Sequence, residues 1–228
     1  MVLETSHKTL GNQKIAIFGG TFDPTHWGHL SIAQTALQQA VLDLVIWVPS
    51  YRPPHRSSSQ LSAFQHRLEM VKRAIVGYPQ FTVSSIEANR SDRSFAIQTL
   101  TDLKAHYSQQ TEWYWIIGLD AFQTLPKWYQ SEALMEQCQW LVAPRVIDRQ
   151  PRVTIQPESR CQQGCDDSPA RSPSNLCWQL LQMPTLEVSS SEIRQRLQIQ
   201  QPIQHLVPKA VSRYILTQNL YGTVPATT

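Results

Sequence analysis

The 228-residue sequence is poor in charge: 16% of its residues are charged, and 20 basic and 17 acidic side chains leave a net +3. That balance excludes a dedicated nucleic-acid coat but suits a small anionic ligand. No window approaches the roughly 18 consecutive apolar residues of a membrane span. The opening MVLETSHKTLGNQK lacks the apolar core of a signal peptide. Both absences predict a cytoplasmic protein that engages neither membrane nor nucleic acid. Cysteine is scarce as well, with only Cys138, Cys161, Cys165 and Cys177. Their spacing fits neither CxxC metal knuckles nor a dense disulfide framework, so they read as free thiols in a reducing compartment. A metal site on Cys161, Cys165 and Cys177 is the weaker alternative. There are no internal repeats. Apolar residues make up 41% and mean hydropathy is -0.32, which excludes wholesale disorder. The length favours one domain, long enough to bury a full core without staples.

What is present alternates. Lys14 to Phe18 is a β-rich run ending at Gly19 and Gly20. Leu30, Ala33, Leu37, Ala40 and Val41 then form a helical stripe. Asp43 to Val48 predicts a second strand, stopped by Pro49, and SYRPPHRSSSQ predicts a loop. Phe64, Leu68, Val71 and Ile75 mark another helix, Phe81 to Ser84 a strand, and Phe95 to Leu103 a helix. Glu112 to Ile117 and Cys138 to Ala143 predict two more strands. LEVSSSEIRQRL reads as a strand, a serine cap and a helix, and Pro208 opens a last helix with Val211, Tyr214 and Ile215 on its apolar face. Such alternation predicts an α/β fold: a Rossmann-like, doubly wound parallel sheet in a single domain with a C-terminal helical portion. Residues 1–13 and 222–228 read as tails around a domain spanning 14–221. Residues 148–177, polar and rich in Pro, Ser and Gln, read as a surface insertion. Ligands of such sheets bind at the carboxyl ends of the strands.

The sharpest feature is GGTFDPTHWGHL, residues 19–30, between the first strand and the first helix. It is neither the GxGxxG of dinucleotide binding nor a P-loop, since the lysine is missing. It offers two glycines, then His26 and His29 three apart at a helix opening, with Gly28 leaving the backbone open to close approach. Free N–H groups and the helix dipole favour an anion there. Two imidazoles beside them suit a phosphoryl group that gains charge in the transition state. Histidines that merely cap and pack would show the same spacing. Zinc fits less well, because no third ligand lies at a usual distance.

GGTFDPTHWGHL resembles the GGxFDPxHxGH signature of the HxGH nucleotidyltransferases. Four further stretches resemble bacterial nicotinate-nucleotide adenylyltransferases in particular: PSYRPPHR at 49–56, SFAIQTL at 94–100, IIGLDAFQTLPKWY at 116–129 and VSSSEIR at 188–194. The five run in the family's order and span about residues 14–220. The resemblance implies adenylyl transfer from ATP to nicotinate mononucleotide, giving deamido-NAD and pyrophosphate in NAD biosynthesis. It implies His26, His29 and Arg194 as catalytic residues, and ATP held by Gly19, Gly20, Phe22, Gly28, Arg56, Ser190 and Ser191. Substrate contacts fall to Thr21, Asp23, Ala96, Ile97, Gly118, Asp120, Trp128 and Tyr129, with Trp128 over the pyridine ring. Mg²⁺ is implied on the ATP phosphates, without protein ligands. The resemblance leaves open a homo-oligomer.

Each stretch also has a plainer reading. The serines could simply cap a helix whose first turn carries Arg194. His55 and Arg56 could belong to a solvated loop, Asp120 could cap a helix, and Trp128 and Tyr129 could be packing. Phe95 and Ala96 stand where the family usually has Tyr and Thr, so selectivity for the acid rests on backbone N–H groups. That keeps a dual-specificity enzyme for the acid and amide mononucleotides in view. Pantetheine phosphate is disfavoured, since the PKWY and SFAIQTL segments suit a flat ring. A catalytically silent nucleotide sensor is disfavoured by the intact histidines and Arg194.

Overall fold

The computed structural model describes residues 12–53, 61–88, 90, 93–144, 176–184 and 187–222. Six parallel strands form one sheet in the order β3-β2-β1-β4-β5-β6: β1 Lys14–Gly20, β2 Leu44–Pro49, β3 Phe81–Val83, β4 Glu112–Gly118, β5 Gln139–Ala143 and β6 Trp178–Leu180. The interiors of β1, β2 and β4 are buried on both faces, as their unbroken apolar runs require. Alternate side chains feed two cores. Ala16, Phe18, Trp47, Ile116 and Leu141 face α1 (Trp27–Gln39), α2 (Phe64–Ala74), α6 (Ser190–Gln198) and α7 (Lys209–Thr217). Ile15, Ile17, Trp115, Trp140 and Val142 face α3 (Ala96–Lys104), α4 (Leu119–Gln123) and α5 (Ser131–Met135). Helices on both faces make the sheet doubly wound. Its order reverses between β1 and β4, and crevices at such switch points hold ligands in open α/β sheets.

The sequence reading needs three corrections. Val41 does not join the buried stripe of α1: the helix ends at Gln39, Val41 takes φ 50° at 73% exposure, and Leu42 is buried instead. The last strand is β6 at Trp178–Leu180, while Glu187–Ser189 is irregular. Being short and mostly exposed at the sheet edge, β6 has no apolar run to betray it. Cys177 is disulfide-bonded and not a free thiol, which removes it as an argument for a reducing compartment. Cys138 is free and buried. The predicted insertion lies outside the described residues except for Leu176 and Cys177. Cys177 already accepts from the Trp140 N–H at 2.9 Å.

Candidate active site

The carboxyl end of β1 passes into a tight loop that α1 follows. Gly20 is required there, because a Cβ would stand 2.9 Å from the Phe22 ring. Phe22 takes φ 52°, folds back and is only 1% exposed, with its ring edge-on to Phe18 and His29. Its side chain therefore forms the wall behind the histidines. Gly28 is equally constrained: a Cβ would meet His26 Nδ1 and Val188 Cγ1, each at 3.0 Å.

His26 is the N-cap of α1 and His29 its third residue. The backbone N–H of His26 donates to His29 Nδ1 at 3.3 Å, and the rings stack with centroids 3.7 Å apart. An accepting Nδ1 puts the proton of neutral His29 on Nε2, which is then a donor. Burial pulls His26 down to about 4; burial, then the neighbouring His26, pulls His29 well below its usual value. Both rings are neutral at pH 7. Nδ1 of His26 is buried without a protein partner. Buried polar atoms seldom stay so, and a ligand oxygen or a water would satisfy it.

The loop before the pair is tied down from five sides. Arg67, 1% exposed on α2, donates to the carbonyls of Thr21 at 3.0 Å, Ser50 at 2.7 Å, Ser62 at 3.0 Å and Tyr51 at 3.3 Å. The Asp23 carboxylate, also 1% exposed, accepts from the Ser62 N–H at 3.2 Å and from the Tyr221 hydroxyl. Arg194 donates to the Asp23 carbonyl at 2.7 Å and Ser190 to the Pro24 carbonyl at 2.9 Å. The Trp27 N–H reaches the Leu206 carbonyl at 3.1 Å. The three serines divide their work. Ser189 caps α6 through the Glu192 N–H, Ser190 ties to the loop, and Ser191 accepts from Arg194 at 3.2 Å. Arg194 is the fifth residue of α6, just past its first turn.

Gly118 caps α4 at the end of the neighbouring β4, and Asp120 lies exposed in the first turn of that helix. Gly118 is not sterically required, since a Cβ there would meet nothing within 4 Å. Trp128 is half-buried, edge-on to Trp140, with its indole N–H on Thr124 Oγ1 at 3.3 Å. Tyr129, 52% exposed, leans on Phe95 with centroids 4.6 Å apart. Phe95 is the N-cap of α3, so the N–H groups of Ala96 and Ile97 have no carbonyl inside the helix. The Ser94 N–H donates to the Arg52 carbonyl and the Arg52 N–H to the Ser94 hydroxyl, each at 3.1 Å, joining the PSYRPPHR and SFAIQTL segments. Behind them, buried Glu87 accepts from Thr99 at 2.7 Å and from the Tyr51 N–H at 3.0 Å. Arg90 adds contacts to Thr99 and Asp102.

Gly19, Gly20, Thr21, Phe22, Asp23, His26, Gly28, His29, Ser190, Ser191 and Arg194 thus share one loop-and-helix cluster. Gly118 and Asp120 stand at the adjacent strand end, Tyr129 flanks the start of α3 through Phe95, and Trp128 packs on Trp140. His55 and Arg56 lie outside the described residues. Sequence reasoning missed Arg67, Glu87 and Tyr221. Among the described residues, no three of His, Cys, Asp and Glu cluster to hold a metal, and no helix is long and apolar enough to cross a membrane.

A parallel sheet in this order, with helices on both faces and a pair of neutral histidines at its first crossover, defines a doubly wound, Rossmann-like α/β domain. Residues 17–196 match the cytidylyltransferase-like family model. A Trichormus variabilis protein named "Probable nicotinate-nucleotide adenylyltransferase" is 49% identical over 210 residues, 92% of this chain and 98% of that protein. One of the same name from Pseudomonas aeruginosa is 36% identical over 92% of this chain and 97% of its own length. The chain belongs to the cytidylyltransferase-like family and, within it, to the nicotinate-nucleotide adenylyltransferases. A Plasmodium falciparum nicotinic acid mononucleotide adenylyltransferase complexed with NaAD shares the fold, with TM-score 0.73 and 19% identity over 93% of this chain and 99% of that one.

Proposed function

We infer that the protein transfers the adenylyl group of ATP to nicotinate mononucleotide, in NAD biosynthesis. An ionised phosphate oxygen of the mononucleotide attacks the α-phosphorus of ATP, the bond to the pyrophosphate oxygen breaks, and deamido-NAD and pyrophosphate leave. No protein nucleophile is needed, so catalysis is positioning plus stabilisation of developing charge. The stacked, neutral histidine pair at the mouth of β1 carries this reading, because its N–H donors cost no reorganisation as charge builds on the phosphoryl oxygens.

In the same reading Arg194, Arg56, Ser190, Ser191 and the backbone at Gly19, Gly20, Thr21 and Gly28 hold ATP and the transferred phosphate. Asp120 at the end of β4 takes a ribose hydroxyl. Trp128 covers the pyridine ring, and the N–H groups of Ala96 and Ile97 take the carboxylate. Asp23 acts by holding its loop, since both carboxylate oxygens already accept internal bonds. The chemistry that Mg²⁺ would supply is screening of the ATP phosphate charge, the ion being held by the nucleotide itself. Dependence on ATP points to the cytoplasm.

Pyrophosphate release with ATP and a panel of phosphate substrates tests the reaction. His26→Ala and His29→Ala should each lower turnover by about 10² to 10³ with little loss of ATP affinity. Near-normal turnover in both would overturn the assignment. A dual-specificity enzyme is the second reading, favoured by the absence of side-chain hydroxyls at Phe95 and Ala96.

A further inference from the structure

The last described turn of the chain reaches back to the first crossover. Tyr221 lies in the 3₁₀ turn Leu220–Gly222 at φ 63°, a left-handed conformation that a bulky side chain seldom adopts. In this pose its hydroxyl enters the space beneath the FDPT loop, donating to Asp23 Oδ1 and lying 3.9 Å from Met70 Sδ. Asp23 has few other options. It is 1% exposed, and among the described residues its second oxygen accepts from the Ser62 N–H at 3.2 Å. The carbonyl of Asp23 is pinned at 2.7 Å by Arg194, and three residues on His26 opens α1. A displaced Asp23 would therefore move the N-cap and the His26–His29 contact with it.

We propose that Tyr221 is a positioning residue for adenylyl transfer: by bonding the buried Asp23 carboxylate, it fixes the loop that aims the His26 and His29 imidazoles. The proposal rests on the reaction inferred above. Burial and the adjacent carboxylate push the Tyr221 phenol far above its usual range, so it remains a proton donor at every pH the enzyme meets. The segment after α7 thus braces the loop that carries the two histidines. Packing alone would need only the ring, and a Phe would supply that.

The test is Tyr221→Phe in the full chain, which keeps the ring and removes the donor. Turnover, measured well below both melting temperatures, should fall by about tenfold to a hundredfold, while KM for ATP and for nicotinate mononucleotide shifts by less than roughly threefold. Wild-type turnover in the variant under those conditions overturns the proposal, even if its melting point is lower. Should the wild type transfer nothing to nicotinate mononucleotide, the reading of the reaction fails by itself. The proposal is then decided by the imidazole ¹⁵N shifts of His26 and His29 in the ligand-free protein. Altered ring shifts in Tyr221→Phe support it, and superimposable ones sink it.

Discussion

The Ser190 hydroxyl donates to the Pro24 carbonyl at 2.9 Å, binding the start of α6 to a loop 166 positions earlier in the chain. Among the described residues, the Ser189 hydroxyl caps α6 by accepting from the Glu192 N–H, and the Ser191 hydroxyl accepts from the Arg194 guanidinium. Ser189 and Ser190 therefore predict different phenotypes. Ser189→Ala should cost about 1 kcal/mol of stability, the usual worth of a cap, and change turnover little. Ser190→Ala should slow turnover by loosening the loop that carries the histidines. Denaturant melts and steady-state rates on the two variants check this. Equal effects of both changes on rate would show that the serines are interchangeable.

The histidine pair predicts acid sensitivity of the ligand-free protein. Burial moves His26 from 6.5 to about 4. Between those values the unfolded chain binds a proton at this ring and the native state does not, so stability falls as pH drops from about 6.5 towards 4. A displacement of that size corresponds to about 3 kcal/mol from His26, and His29 acts in the same direction. His26→Asn keeps a good N-cap residue and removes the titrating group. Urea unfolding at several pH values should show a flatter slope for the variant over this window. Parallel slopes would mean that the ring is already protonated in the native state.

Arg67 predicts a large stability loss from one helix position. Its guanidinium serves four carbonyls and faces the buried Asp23 carboxylate. Arg67→Met would keep the buried volume and strand those acceptors, at a cost of about 3 kcal/mol or more. Arg67→Lys should recover only part, since an ammonium cannot fork between carbonyls on separate loops. Chemical denaturation measures both, and a loss below about 1 kcal/mol for Arg67→Met would show that water replaces the guanidinium.

Arg67 also shows where sequence reading stops. Strands β1, β2, β4 and β5 were legible because strands buried on both faces leave unbroken apolar runs between breakers. The histidine pair stood out because it follows two glycines at a strand-to-helix turn, within a run that resembles a family signature. Arg67 and Glu87 are buried, yet in sequence they look like any charge on an amphipathic segment; only tertiary carbonyls and hydroxyls distinguish them. Tyr221 was hidden for another reason, since its partner Asp23 lies at the opposite end of the chain. The helix that starts at Ala96 was legible through its periodicity, and the role of its first N–H groups only through the family resemblance; the Phe95–Tyr129 contact beside them was not legible.

Those N–H groups and Trp128 carry the prediction on substrate choice. A flat pyridinium ring on indole gains nearly the same from the acid and the amide, so stacking cannot discriminate. Two helix-start N–H donors can. A carboxylate accepts from both, whereas the NH₂ end of an amide would meet them donor to donor and leave a buried group unpaired. Nicotinate mononucleotide should thus exceed nicotinamide mononucleotide in kcat/KM by roughly tenfold to a thousandfold. Trp128 is held edge-on to Trp140 and hydrogen-bonded to Thr124, a fixed platform that does not depend on which ring arrives. Trp128→Ala should accordingly weaken both substrates while leaving their ratio much less changed. The four kcat/KM values settle the matter. Equal use of acid and amide by the wild type would assign the selectivity of relatives to the hydroxyls that Phe95 and Ala96 lack, and would make this a dual-specificity enzyme.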